Sequence, residues 1–216
     1  MSSQALSRDS HPRTAVRRDF IGTFGDPSVL VNCAGNYDYL SSAYYLSQDY
    51  EDEQPIRPTC PEMLDAYVPP LFLEKAKAAG LPVPEWYLSN GYFEPPVIAD
   101  PINPFTLRGK IVWKEGRAKS IARSLTRNFT YAICCQELPP GSKVRCFRDI
   151  LGWTATLAYR DLASSVWRVF NIPLAKVRVI HPPDRSPLLS DISPLPYDTL
   201  SPREIARIEE QVSWLK

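Results

Sequence analysis

The sequence predicts an α/β protein in which short strands alternate with short helices. Three observations carry that prediction. An apolar run at 28–33 turns at Ala34-Gly35-Asn36 and enters a helical stretch at 39–50. Strand and helix patterns alternate again from Val97 onward. A capped, amphipathic helix signal begins at Ser201. With 216 residues, 44% hydrophobic and 23% charged, the chain suits one domain or two small ones and excludes wholesale disorder. The net charge of +1 argues for no particular partner. Proline stands out at 22 against 9 glycines, so helices should be short and joints rigid.

In chain order, residues 1–18 are rich in Ser and Arg and read as a disordered tail, with a targeting peptide as the alternative. The strand–turn–helix at 28–50 follows. Tyr37, Tyr39, Tyr44, Tyr45 and Tyr50 are expected to pack the helix on the sheet or cover its outer face. The acidic run 49–53 reads as the solvated helix exit. Pro61 and Pro69-Pro70 each open a helix, the second stopping at Gly80. The proline-punctuated stretch 81–96 then marks a boundary between an N-terminal α/β unit, 19–85, and a second unit, 86–216.

That second unit is read as strands at 97–99 and 110–113, a helix at 117–125, and strands at 130–137 and 143–152. A helix at 161–170 and a strand at 174–180 follow. At the C-terminus Ser201-Pro-Arg-Glu204 has capping-box spacing, and Ile205, Ile208, Val212 and Leu215 form one apolar stripe.

Five cysteines without C-x-x-C spacing predict free thiols and a reducing, cytoplasmic setting. Adjacent Cys134 and Cys135 should point to opposite faces of a strand as small buried hydrophobes. With only His11 and His181, a zinc site is disfavoured. No apolar run approaches the roughly 20 residues that span a bilayer, which argues against membrane insertion.

Several stretches carry a family resemblance. Lys-Ala-Ala-Gly-Leu-Pro-Val-Pro at 77–84 is followed by a strand, Asp-Pro-Ile-Asn-Pro-Phe, a basic strand and helix, and Cys-Cys-Gln-Glu-Leu-Pro-Pro-Gly. The runs 171–180 and 189–196 look like a closing strand pair. This order resembles the ATP-grasp superfamily, nearest to its ribosomal-modification and glutathione-synthetase-like ligases. The resemblance implies a small N-terminal α/β unit followed by an abbreviated ATP-grasp-like mixed sheet with flanking helices. It also implies ATP and magnesium as cofactors, with Gln136, Glu137 and neighbouring Leu138 at an adenine hinge and Asp191 on the metal. Arg108, Lys110 and Lys114 would face phosphates.

The departures from the family pattern weigh against catalysis. Asp100 stands where the resemblance calls for a phosphate-binding lysine, and Arg178 where it calls for a metal-binding aspartate; each inverts a charge. The closing Glu-x-Asn becomes Asp191-x-Ser193, and the glycine-rich loop shrinks to Arg108-Gly109. The segment after Glu137 is too short for a full second lobe, which would shield an acyl-phosphate from water.

Basic residues crowd 108–127: Arg108, Lys110, Lys114, Arg117, Lys119, Arg123 and Arg127, against Glu115 alone. They could cradle phosphates, hold an acidic partner or RNA, or form a solvated face. Three functions are therefore expected, in order: a non-catalytic structural or regulatory subunit with a protein partner or a second copy; an ATP-dependent carboxylate–amine ligase; and a nucleic-acid-associated protein.

Overall fold

In the computed structural model residues 20–103 and 109–215 are described; the 1–18 stretch and Arg108 lie outside them. The first sheet pairs β1 (Ile21–Phe24) with β2 (Val29–Asn32), with β3 (Ile56–Arg57) parallel to β2. Its other edge is β11 (Val212–Trp214), antiparallel to β1. Helix α1 (Ser42–Glu51) starts where the Ser41 side chain accepts from the Tyr44 N–H. Helix α2 (Cys60–Tyr67) opens with a capping box that the sequence reading missed, Thr59 and Glu62 satisfying each other's backbone N–H groups. Helix α3 (Pro69–Ala78) gives way to Gly80 at φ +75°.

The second sheet has the order β4 (Trp86–Ser89), β7 (Ile133–Glu137), β5 (Val97–Pro101), β6 (Lys110–Val112), all antiparallel. Strand β4 lies inside the proline-punctuated stretch, where no strand was expected; its prolines flank the strand and leave the ladder intact. Helix α4 (Ala118–Leu125) covers one face, packing Ala118, Ala122 and Leu125 over Val97, Ala99, Ile133 and Cys135. Cys134 faces the other way, into the largest core cluster. The expectation that the two thiols part to opposite faces is met.

The third sheet is antiparallel, with β9 (Leu174–His181) between β8 (Lys143–Ile150) and β10 (Leu188–Pro194). Ala175, Val177 and Val179 share one core with α2, α3 and α5 (Arg160–Phe170), where Phe72 stacks on Phe170 at 4.7 Å. The intervening residues Lys176 and Arg178 turn to the opposite face.

The C-terminal stripe divides. Helix α6 (Pro202–Glu209) keeps the expected capping box, but the chain leaves it before Val212 and becomes β11. Val212, β-branched and buried, gains a ladder on β1 that a longer helix would forfeit. The mixed sheets and flanking helices make an abbreviated α/β fold of the expected kind.

Two features give tests. Gly35, at φ +81°, turns the chain after β2 and accepts from the Leu195 N–H at 2.8 Å; a Cβ there would lie 2.0 Å from the Leu195 carbonyl oxygen. Gly35→Ala should therefore cost about 3 kcal/mol or more, read as a lowered urea midpoint. Asp149 is fully buried; its Oδ1 accepts from the Gly152 N–H at 2.9 Å and its Oδ2 is shielded without a partner. Burial pushes its carboxyl well above the ordinary 3.8, against the opposing Gly152 bond. The folded state thus keeps a proton that the unfolded chain has released, so stability should fall as pH rises from about 4 through the raised value. Asp149→Asn should remove that slope, at most about 1.4 kcal/mol per pH unit, in denaturation curves taken across the window.

Candidate functional site

The second and third sheets meet across a cleft because their facing strands alternate polar and apolar residues. On β5, Val97 and Ala99 lie under α4, so Ile98 and Asp100 point into the cleft. On β7, Gln136 pairs with Ile98 and shares its face. On β9, Arg178 comes forward between the buried Val177 and Val179.

These residues form a closed polar network. The Arg178 guanidinium donates to both Asp100 oxygens, Nη2 to Oδ2 at 2.6 Å and Nη1 to Oδ1 at 3.1 Å. Its Nε donates to Ser190 Oγ at 2.9 Å. The Ser190 hydroxyl donates to Gln136 Oε1 at 2.8 Å, and Gln136 Nε2 donates to Asp100 Oδ2 at 2.8 Å and to the Ser190 carbonyl at 2.9 Å. Asp191 adds a carboxylate 3.8 Å from the guanidinium. Burial alone would lower the Arg178 pKa, yet Asp191 and Asp100 together hold it above its ordinary value, so the guanidinium stays charged. The side chains of Asp100 and Arg178 are only 5% and 15% exposed, so the pair is bidentate and nearly dry.

Beside this network lies a cavity of about 560 Å³. Asp100, Arg178, Lys176 and Asp191 line one side, and Tyr37, Tyr39, Tyr44 and Tyr67 another. Cys146, exposed on β8 and paired in register with Arg178, also reaches it.

The residues singled out from sequence do not all converge here. Asp191 lines the cavity from β10, in the sheet across the cleft from β7. Gln136 is buried in the network, while Glu137, its strand neighbour, points to the opposite face and is exposed. Glu137 and Leu138 border a smaller hollow with Tyr87, Glu94 and Pro95-Pro96. Lys110 pairs with Ala99 and shares its α4-side face, away from Asp100; it and Lys114 are exposed, as are Arg117, Lys119, Arg123 and Arg127. Ser190 and Lys176 escaped notice, Ser190 because its role depends on contact across sheets. The tyrosines were expected to pack the helix on the sheet or cover its outer face; Tyr37 and Tyr44 are buried, while Tyr39 is 40% exposed at the cavity.

The donor set suits a guanidinium better than a magnesium ion. Hard divalent cations want several anionic oxygens, and here the carboxylates of Asp100 and Asp191 already face Arg178. Among the described residues no group of three or more His, Cys, Asp or Glu could hold a metal ion. Nor is any helix among them long and apolar enough to cross a membrane.

No family model matches the sequence, and no curated protein matches it. Solved structures do resemble the fold. A D-alanine-D-alanine ligase from Helicobacter pylori is 14% identical, with a TM-score of 0.58 over 84% of this chain and 71% of that one. The corresponding ligase from Bacillus anthracis is 10% identical, TM-score 0.57, over 77% and 70%. A RimK domain protein of ATP-grasp type from Sphaerobacter thermophilus is 14% identical, TM-score 0.54, over 77% and 73%. The chain spans only 59–61% of the length of the ATP-grasp ligase PsnB, at TM-score 0.47.

The cleft pair can be tested by a double-mutant cycle. Asp100→Asn and Arg178→Met should each cost about 3–5 kcal/mol, because each strands a buried charge. The double variant should cost less than the sum by at least about 1 kcal/mol in urea denaturation. Additive losses would mean that the two charges do not depend on each other.

Proposed function

Starting from a chain that carries the ATP-grasp fold, we propose that it acts as a non-catalytic structural or regulatory subunit, engaging a protein partner or a second copy of itself. The observation that supports this reading is the Asp100–Arg178 ion pair. By the sequence resemblance, these two positions belong to a phosphate-binding lysine and a metal-binding aspartate. With the charges exchanged, a phosphate meets Asp100 and a magnesium ion meets Arg178, and both are repelled. The exchanged residues instead neutralise each other, so the cleft is stable without ligand. Catalysis by this fold needs preorganised positive charge at the transferred phosphoryl group, and that charge is engaged elsewhere.

The ligase alternative has one observation in its favour: the 560 Å³ cavity opens directly beside Asp191. On that reading Gln136, Glu137 and Leu138 would serve the adenine, Asp191 the metal, and Lys110 and Lys114 the phosphates. Gln136 and Lys110 lie on opposite faces of the second sheet and Asp191 on the third, and this dispersal favours the first reading.

Calorimetric titration with ATP and magnesium, paired with an ADP-release assay, separates the two. The expected result is at most weak nucleotide binding and no turnover. ADP production that follows the purified protein and vanishes in Asp191→Ala would overturn the non-catalytic reading and restore the ligase alternative.

A further inference from the structure

Strand β6 forms one edge of the second sheet, and among the described residues nothing pairs with its outer side. The backbone N–H and C=O groups on that side are open to another strand. Lys114, two residues past β6, is still extended at φ −140° and ψ 147°, so 110–114 can serve as one five-residue edge. Val112 is buried under α4, which turns Ile111 and, by alternation, Trp113 to the opposite face. Both are large and apolar, yet Ile111 is 40% exposed and Trp113 54%. Lys110 and Lys114 alternate onto the other face. Lysine is a usual guard of an edge strand; two open apolar side chains between the guards are not.

The surrounding charge has one sign. Lys110, Lys114, Arg117, Lys119, Arg123 and Arg127 are exposed, and none is in an ion pair among the described residues. Glu115 is the one acid in 108–127. This charge selects the occupant. A second copy pairing β6 on β6 about a twofold axis would set Lys110 opposite Lys114 at both ends, and like charges directly opposite destabilise a ladder. The chain's own acidic run, 49–53, lies in the end of α1 and the turn after it, not in a strand. Nucleic acid would answer the charge and leave the strand edge unpaired.

We propose that 110–114 is a docking edge for an extended segment of a partner protein in which acidic and apolar side chains alternate. The partner strand runs antiparallel, like every other pair in this sheet, with acids beside Lys110 and Lys114 and apolar residues beside Ile111 and Trp113. Main-chain hydrogen bonds supply the affinity of such a contact and side-chain alternation its specificity. The inference rests on the partner-binding reading above and names the surface that reading uses.

The probe is a fluorescein-labelled peptide, Ser-Ser-Glu-Val-Thr-Val-Glu-Ser-Ser, titrated with the full chain by polarisation at about 0.15 M salt. It should bind at least about tenfold more tightly than Ser-Ser-Val-Val-Thr-Glu-Glu-Ser-Ser, which keeps the composition and loses the alternation. Lys110→Glu combined with Lys114→Glu should weaken it at least about tenfold, whereas Arg123→Glu should change it less than about twofold. Arg123 sits at the C-terminal end of α4, bonded to Asn128. Peptides methylated on the two valine nitrogens or on the threonine nitrogen are blocked on opposite edges, so one should lose binding and the other keep it. Equal affinity for the scrambled peptide, equal effects of the edge and Arg123 reversals, or equal behaviour of the methylated peptides would each overturn the proposal. So would a dimer of the free chain that the peptide splits, which gives the edge to a second copy, or an oligouridylate that binds more tightly and displaces the peptide. Absence of binding by about 1 mM peptide would do the same. The nucleotide assay reads separately: ADP release overturns the non-catalytic reading, while a silent peptide with no ADP released removes this docking edge alone.

Discussion

Asp100 and Arg178 come from strands of two different sheets, and neither could be buried where it is without the other. A lone carboxylate or guanidinium in so dry a setting would cost several kcal/mol. Held together, and braced by Gln136 and Ser190, they join the second sheet to the third at a fixed separation. Such a pair need add little net stability over a well-packed apolar pair. What it supplies is a single relative placement of the sheets, because a bidentate contact tolerates little sliding.

That placement governs the rest of the cleft. It brings Lys176 and Asp191 to one side of the cavity while α1 and α2 present their tyrosines from another. In a protein that grips a ligand between two lobes, the ligand itself can bridge them. Here the bridge is covalently part of the chain, so the geometry is present at all times and does not wait on binding.

Much of the fold was legible in sequence because it is written locally. Ser201-Pro-Arg-Glu204 places a helix start, Gly80 a helix stop, and Cys134-Cys135 the two faces of a strand. Asp100 and Arg178 were each visible as an inverted charge, and the opposite signs of the two inversions were the available hint that they meet. Their contact spans 78 positions, beyond any local periodicity. The fate of Val212 was hidden for the same reason: its helical spacing from Ile208 is real, but a strand 190 residues away outweighs it. The Gln136–Glu137 pair shows a third limit. A motif read as a unit is split by the strand's alternation, one side chain facing inward and the other outward.

The pairing of β1 with β11 has a consequence for synthesis. Strand β1 is made about 190 residues ahead of β11, and on the side away from β2 nothing but β11 pairs with β1 among the described residues. At about 5–20 residues per second, that edge stays open for roughly 10–40 s on every nascent chain. An unpaired strand edge is a template for neighbouring chains on the same polysome. Yield in a cell should therefore depend on what shelters Ile21–Phe24 during that interval, before the stability of the finished protein has any bearing.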